Sequence, residues 1–520
     1  MSARLHEGTF GSIVCGNVTN PGRTLTWVID VDWDGDGKFN GVNEAITYDS
    51  NGVVTNRLQA VSVIRGRQFF VKSGGTGFED TAIGTVALTL KDLDGRFNPY
   101  NASSPIYSYL QQNQKIMVRL EDTATAIVYW AFVGYIDDIR PNLGKYVTTA
   151  TITASDGLKK LQNKTVNSQL VYQTIRYNNA ITQVLADAGW SDQTSIDNVS
   201  SDTLTYWWES GRSALAELQD LTNASFGDFC VTANGTAKYL SSIATDASVT
   251  TFTESDIQFD YGIQVPSPRE TIKNWIKIFS RSRTAQSLAV LWKASGTSPS
   301  ISPGASLTVW ATYSSGGATV AATSVTTPVM TTDYLASDGA VGDKTAQISV
   351  AFTPFATTAK IVYTNNDAGT VYMTLMQVRG IAITADIYTF AQTQDDASIA
   401  SYTERDLTIQ TDWLQDINTA VDKALTMKLK LAHPRQFPRF MVKRNSLAKS
   451  FVADLYNVVT ANFTTNNISD EFRVGYITHN WSIQEPMVLD TTLYMEPNLF
   501  ANASGTWIFP ALIGTTTKFA

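Results

Sequence analysis

A β-rich, multidomain α+β fold is predicted by three observations: the length of the chain, its strand-favouring composition, and the isolation of its few amphipathic helices. At 520 residues the chain exceeds what one hydrophobic core supports, so three or four domains of about 100–200 residues are expected. A hydrophobic content of 43% with 12 Trp, 21 Tyr and 23 Phe is enough to fill several cores and argues against disorder. Those aromatics, with abundant Thr and Val, favour strands.

The formal net charge of −8 disfavours non-specific adhesion to nucleic acid or anionic membrane, which needs Lys and Arg to neutralise phosphates. Cys15 and Cys230 are too few and too far apart for a disulfide framework and read as free thiols of a protein folded in a reducing cytosol. The opening MSARLHEGTFGSIVCG lacks the apolar core of a signal peptide. With no long apolar run, no membrane span is expected. The N-x-S/T tripeptides, such as those at Asn101 and Asn223, then read as chance rather than glycan sites.

Taken in order, LTWVIDVDW from Leu25 is a strand that runs into an Asp-Gly turn. TVALTLK from Thr85 alternates Val86, Leu88 and Leu90 against Thr85, Thr89 and Lys91, which predicts a half-buried strand. IVYWAFVGYIDDI from Ile127 is apolar on both faces, so a second sheet, a neighbouring domain or a partner subunit must cover it. KYVTTATITASD reads as its hairpin mate. Ile181, Val184, Leu185 and Ala188 then recur at helical spacing before Gly189, a helix stop. Ala214, Leu215, Leu218 and Leu221 follow Ser213, an N-cap residue. A third helix is predicted from about Trp413 to Lys430 on a stripe of Ile417, Val421, Ala424 and Leu425. Between them, from about Ser280 to Ile383, Ser, Thr, Gly and Ala dominate strand-like runs such as SLTVWATYS, which predicts an inserted β-sandwich.

The stretch DVDWDGDGKFN holds the most pointed chemistry. Asp32, Asp34, Asp36 and Gly37 match the first half of a D-x-D-x-D-G calcium loop, in which alternate carboxylates and a backbone carbonyl surround a hard cation. The closing acid of that motif falls at Asn43, whereas the acid here is Glu44, one residue late. A tight hairpin explains the Asp-Gly pairs as well. The candidate metal set is Asp32, Asp34, Asp36, Lys38 and Glu44, with Ca2+ as the candidate cofactor. Catalytic signals are thin: His6, His433 and His479 lack metal-ligand spacing, and there is no nucleophile elbow, Walker loop or dinucleotide loop. The pairs Asp137–Asp138 and Asp395–Asp396 read as loop acids, and His479 beside Trp481 as a structural imidazole. No enzyme is expected, and no catalytic residue is assigned. In the inserted segment, Trp292, Trp310, Tyr313 and Tyr334 could stack on sugar faces, although aromatics in sandwiches usually fill cores.

The stretch DLDGRFNPYNASSPIYSYLQQNQKIMVRL from Asp92, followed by YWAFVGYIDDIRP and VTTATITASDGLKKLQ, resembles the N-terminal part of tail-tip hub proteins, or minor tail proteins, of long-tailed, siphovirus-type bacteriophages. VDWDGDGKFN is similar to the family's first strand and turn, and YWWESGRSALAELQDLTNASFGDFCVTANGTAKYL to its helix and hairpin. ASIASYTERDLTIQTDWLQDINTAVDKAL and RVGYITHNWSIQEPMVLDTTLYMEP resemble its closing helix and strands. The likeness therefore spans most of the chain outside the insertion, on structural rather than catalytic motifs.

The resemblance implies a baseplate hub or adaptor ring at the end of the tail tube, part of the virion and made in the host bacterial cytoplasm. It implies a homotrimer with two β-barrel-like tube domains per chain, so that a three-fold ring meets a six-fold tube. Expected partners are the distal tail protein, the tape measure protein and a central fibre or spike, with DNA passing through unbound. The domain boundaries are then 1–158 for the first barrel-like domain, 159–279 for a small helical α/β domain with the start of the second, 280–384 for the inserted sandwich and 385–520 for the part that completes the hub. A carbohydrate-binding or calcium-dependent adhesion protein is the alternative.

Overall fold

The computed structural model describes residues 25–39, 44–46, 57–68, 71–72, 75–122, 125–144, 148–198, 202–242, 246–258, 261–267, 269–296, 298–443, 446–483 and 488–498. His6 and Cys15 lie outside them. Strand accounts for 49% of the described residues and helix for 17%, so the architecture is β-rich α+β and multidomain.

Strands β1 (Leu25–Asp32), β2 (Leu58–Gly66), β3 (Ala82–Lys91), β4 (Lys115–Asp122), β5 (Ile127–Leu143) and β6 (Thr148–Ser155) form half of a large sheet in the order β1-β4-β5-β6-β3-β2. The sheet curls round one core that takes in Trp27 and Ile29 of β1 and Val61 and Val63 of β2, from opposite ends of the six strands. The predicted barrel nevertheless does not close. The outer edge of β2 pairs with Ile468–Ser482, from Ala60↔Ser482 to Gly66↔Tyr476, so its hydrogen-bonding groups are already taken. Through that pairing the sheet continues into Val488–Pro497, Arg439–Val442 and Ile263–Gln264, and becomes one open sheet with two lobes.

The second lobe has its own core, in which Phe252, Phe440 and Phe463 pack edge to face or tilted around Val459, Val474 and Leu493. Helix α6 (Leu447–Val452) crosses back to the first lobe and inserts Leu447 and Phe451 into its core.

The apolar double face of β5 is covered within the same chain over its middle, from Ala131 to Ile136, while Ile127 and Val128 at its start stay exposed. Phe132 and Ile136 face the first-lobe core, while Val133 lies under the hairpin turn at Gly235, whose Cβ position is 2.9 Å from Val133 Cγ1. That hairpin belongs to a helical body formed by α1 (Gly157–Asn163), α2 (Tyr177–Asp187) and α3 (Ala214–Ser225). Both longer helices follow their sequence signals. Ile181, Val184 and Leu185 are buried and Gly189 takes φ +72° at the end of α2, while Ser213 Oγ accepts the Ala216 amide at the start of α3.

Residues Arg283 to Ala385 form two packed sheets. In one, Arg283–Lys293, Ser300–Ile301, Ala321–Thr323 and Tyr334–Ser337 all pair with the long strand Val371–Ala385. In the other, Thr358–Asn365 lies between Ser306–Thr312 and Ile348–Pro354. This unit meets the helical body where the Ala356 amide donates to the Ser168 carbonyl, at 3.0 Å. Beside that contact Glu209 is fully buried and its own amide donates to Ser168 Oγ, at 2.7 Å.

Burial, and then the nearby Asp187, push the Glu209 carboxyl from its ordinary 4.5 up to about 8. The folded state therefore keeps a proton that the unfolded chain has lost, and stability falls as pH rises from about 4.5 through 8. The expected result for Glu209→Gln is a gain over the unsubstituted chain that grows from pH 5 to pH 9 in urea midpoints. A constant difference would show that Glu209 does not titrate there.

A third small sheet, Thr389–Gln394, Trp275–Ser280 and Asp406–Gln410, carries α5 (Ile417–Leu431), and α4 (Asp396–Tyr402) lies in the connection between its first and last strands. Helix α5 begins later than Trp413, because Asp416 caps it by accepting the amides of Asn418 and Thr419. Its buried stripe also differs from the predicted one: Ala420, Ala424, Met427 and Leu431 face the sheet, while Ile417 and Val421 are exposed. Small alanines bring the helix close to the strands, and the periodicity of a helix with two apolar faces fits either face.

Candidate functional site

The Asp-rich turn is built by β1 and the segment that returns along it. The Val31 amide donates to the Glu44 carbonyl at 2.9 Å, and the Ile46 amide to the Ile29 carbonyl at 2.8 Å. Between these strands the turn folds round Asp32, whose Oδ1 accepts the amides of Gly35 and Asp36 and whose Oδ2 accepts that of Gly37. Gly35 and Gly37 take φ of +74° and +79°, which asparagine or glycine tolerates and larger side chains resist. Asp34 accepts the Asp36 amide, and Asp36 accepts the Lys38 amide.

One carboxylate oxygen from each of Asp32, Asp34, Asp36 and Glu44 lies within 4.8 Å of the others, with Asp32 and Glu44 buried and Asp34 and Asp36 exposed. Oxygens around one calcium, each about 2.3–2.6 Å from it, stand at such separations. Glu44 reaches the group although it is one residue late, because a returning strand, not a helix, delivers it. The exposed Lys38 ammonium stands 4.0 Å from Asp36, so Lys38 has only its backbone carbonyl to offer a cation.

The four aromatics of the inserted unit separate by burial. Tyr313 and Tyr334 lie in its core, with Tyr334 tilted against Tyr363 at 5.9 Å, so neither presents a face to a sugar. Trp292 is half-buried against the same core. Trp310 alone of the four is exposed, at 58%, and it stacks on Phe355. A glycan platform thus reduces to Trp310 and its polar strand neighbours.

The remaining candidate chemistry is accounted for by structural contacts. His479 is stacked on Phe451 at 4.4 Å, its Nδ1 lies 2.9 Å from Thr491 Oγ1, and burial, with Arg65 nearby, pushes its imidazole down to about 3. Asp137 accepts from Ser155, Asp138 pairs with Arg140, and Asp395 caps α4 through the Ser398 amide. Cys230 is buried in the second-lobe core, and burial raises its thiol to about 12.

One buried cluster was missed by sequence reasoning. Arg67, just after β2, donates through Nε and Nη2 to both oxygens of Glu496, at 2.9 and 2.8 Å, and its Nη1 meets Asp228 at 3.0 Å. Arg473 reaches the other oxygen of Asp228 at 3.3 Å, and the Tyr456 ring lies 5.1 Å from the Arg67 guanidinium. First lobe, helical body and second lobe thus meet at one ion cluster, with a further pair between Arg65 and Asp454. The signal available in the sequence was VIRGRQFF, two arginines inside an apolar strand run, which demands buried partners.

No family model matches the chain, and no curated protein does. Among solved structures, the 43 kDa tail protein of prophage MuSo2 from Shewanella oneidensis aligns at 8% identity over 92% of this chain and 99% of its own, with a TM-score of 0.48. The tail protein from Neisseria meningitidis MC58 aligns at 10% identity over 91% and 99%, with a TM-score of 0.44. Prophage tail protein gp18 from Listeria monocytogenes EGD-e aligns at 8% over 90% and 94%, with a TM-score of 0.41.

Proposed function

We propose that the chain is a structural subunit of a bacteriophage tail, forming the hub or adaptor ring at the distal end of the tail tube. The observation that carries this reading is the single sheet shared by two lobes and locked by the Arg67 cluster. A chain that offers two strand-rich lobes at fixed spacing lets three copies present six lobes to a six-fold tube. The main path of the sheet runs from β1, whose edge is met by residues 44–46, to Ile263–Gln264, with Val458–Phe463 and Thr251–Thr253 as a branch, so its ends differ, which suits head-to-tail contacts that close into a ring. The sequence motifs of the Asp92–Leu120 loop support the same family. In this reading the subunit is a homotrimer in the virion, at the tail tip, and meets the distal tail protein, the tape measure protein and a central fibre or spike. The net charge of −8 suits a channel that DNA crosses without adhering. Its role is mechanical, not enzymatic.

Electron microscopy of the purified full chain tests this. Class averages should show closed three-fold rings with a central hole. Rings of another order would refute the trimer, and a uniformly monomeric protein that also fails to join a purified tail tube would refute the hub.

Within that reading the Asp32–Glu44 loop binds Ca2+ and rigidifies the edge of the first lobe. Calcium should raise the thermal midpoint and a chelator reverse it, with a stabilisation of about 2.7 kcal/mol at a free concentration near 100 times Kd. Asp34→Asn should weaken the response, and an unchanged midpoint with calcium in the unsubstituted chain would sink the assignment.

A further inference from the structure

The inserted unit, Arg283 to Ala385, rests on the helical body. Its Ala321, Ala356 and Ile383 join the helical-body core, the Ala356 amide donates to the Ser168 carbonyl at 3.0 Å, and Gln173 Nε2 donates to Thr323 Oγ1 at 3.1 Å. The unit leaves and rejoins the rest of the chain at one place, where the Asp386 amide donates to the Ser282 carbonyl at 3.0 Å beside the Arg283↔Ala385 pair. There the Arg283 guanidinium lies 4.5 Å from the rings of both Trp208 and Trp413. Stacking thus anchors the root of the unit, and the contact at Ser168 holds its body.

A carboxyl is enclosed at that contact. Glu209, whose amide donates to Ser168 Oγ, is fully buried, and among the described residues none donates to either of its carboxyl oxygens. The groups that act on it are acidic: Asp187 at the end of α2, Glu217 of α3 and the Tyr172 hydroxyl. Arg212 is engaged by Glu217 and Asp220, and Arg283 of the inserted unit by the two tryptophans. Protonated, Glu209 is a neutral acid whose hydrogen Asp187 accepts. Ionised, it is a charge without a donor in a dry contact, beside a second carboxylate. Lifting the inserted unit would admit the water that such a charge needs.

We propose that the inserted unit is a proton-latched arm: with Glu209 protonated it lies docked on the helical body, and with Glu209 ionised it swings out about its root at Ser282 and Asp386. The inference is independent of the tail assignment. Because the docked acid titrates near 8 and the hydrated one near 4.5, docking weakens as pH rises between those values, by up to about a thousandfold, and changes no further above them.

Distances between spin labels in the full chain test this, with Ala186→Cys and Ser349→Cys at exposed positions, Cys15→Ser, and the buried Cys230 left in place. One short distance is expected at pH 5, joined at pH 8.5 by a longer population at least about tenfold more abundant than at pH 5. Glu209→Gln should keep the short distance at both pH values. Asp187→Asn leaves Glu209 in place, removes the like charge and should shrink the longer population at pH 8.5. A distribution that does not change with pH, a longer population undiminished in either variant, or loss of the circular dichroism spectrum at pH 8.5 would each overturn the latch.

Discussion

Gly66→Ala is expected to destabilise the protein by about 3–5 kcal/mol, because two penalties coincide at one residue. Gly66 takes φ +97°, and a Cβ at that position would stand 2.1 Å from the Gly475 carbonyl oxygen and 2.7 Å from Leu455 Cδ2. The obstacle is backbone, so no side-chain rotation relieves it. The site is also where β2 hands the sheet to the second lobe: the Arg67 amide donates to that same Gly475 carbonyl at 2.9 Å, and the register of Ile468–Ser482 against Val488–Pro497 shifts beside Gly475. Urea unfolding followed by tryptophan fluorescence should show the loss, of equal size at acidic and neutral pH. A loss below about 1 kcal/mol would mean that the lobes can separate at this point without cost.

Arg67→Ala should cost a similar amount, about 3–5 kcal/mol, for an electrostatic reason. Glu496 and Asp228 are nearly without solvent, and removing the guanidinium leaves their charges facing one another with Arg473 as the remaining cation. Arg67→Met, which keeps much of the packing against Tyr456 without the charge, should cost nearly as much as Arg67→Ala. A cost near zero for Arg67→Met would show that packing against Tyr456, not charge, is what Arg67 supplies. On the proposed hub reading, either variant should also lower the yield of closed rings in electron micrographs, since both loosen the spacing of the two lobes.

How much of this was legible in the sequence depended on the range of the interaction. Period-two alternation located β3, and the cap and stop residues Ser213 and Gly189 located α3 and α2, because each signal and its partner lie within a few residues. The Asp-rich turn was legible as a cluster of acids that includes Glu44, but the route by which Glu44 reaches the other three was not. The helix-based motif expects an acid at Asn43, and only the strand pairing of 44–46 with β1 shows how Glu44 reaches the others. Burial of Tyr313 and Tyr334 against exposure of Trp310 was not legible either, since an aromatic in a strand has the same local pattern on both faces. In α5 two apolar stripes competed, and the one containing the alanines won because small side chains permit close approach to the sheet.

The sequence by itself determined the class of the protein: β-rich, acidic, free of the common catalytic motifs, with three isolated longer helices and an inserted Ser/Thr-rich unit, all consequences of composition and of contacts between near neighbours. Only the tertiary structure decided that the first lobe stays open and that its edge strand β2 joins Ile468–Ser482, some 400 residues away, round the buried Arg67 cluster. The physical reason is that strand edges and buried charges take whichever partner folding brings to them, and neither leaves in the local sequence a mark of which distant partner that will be.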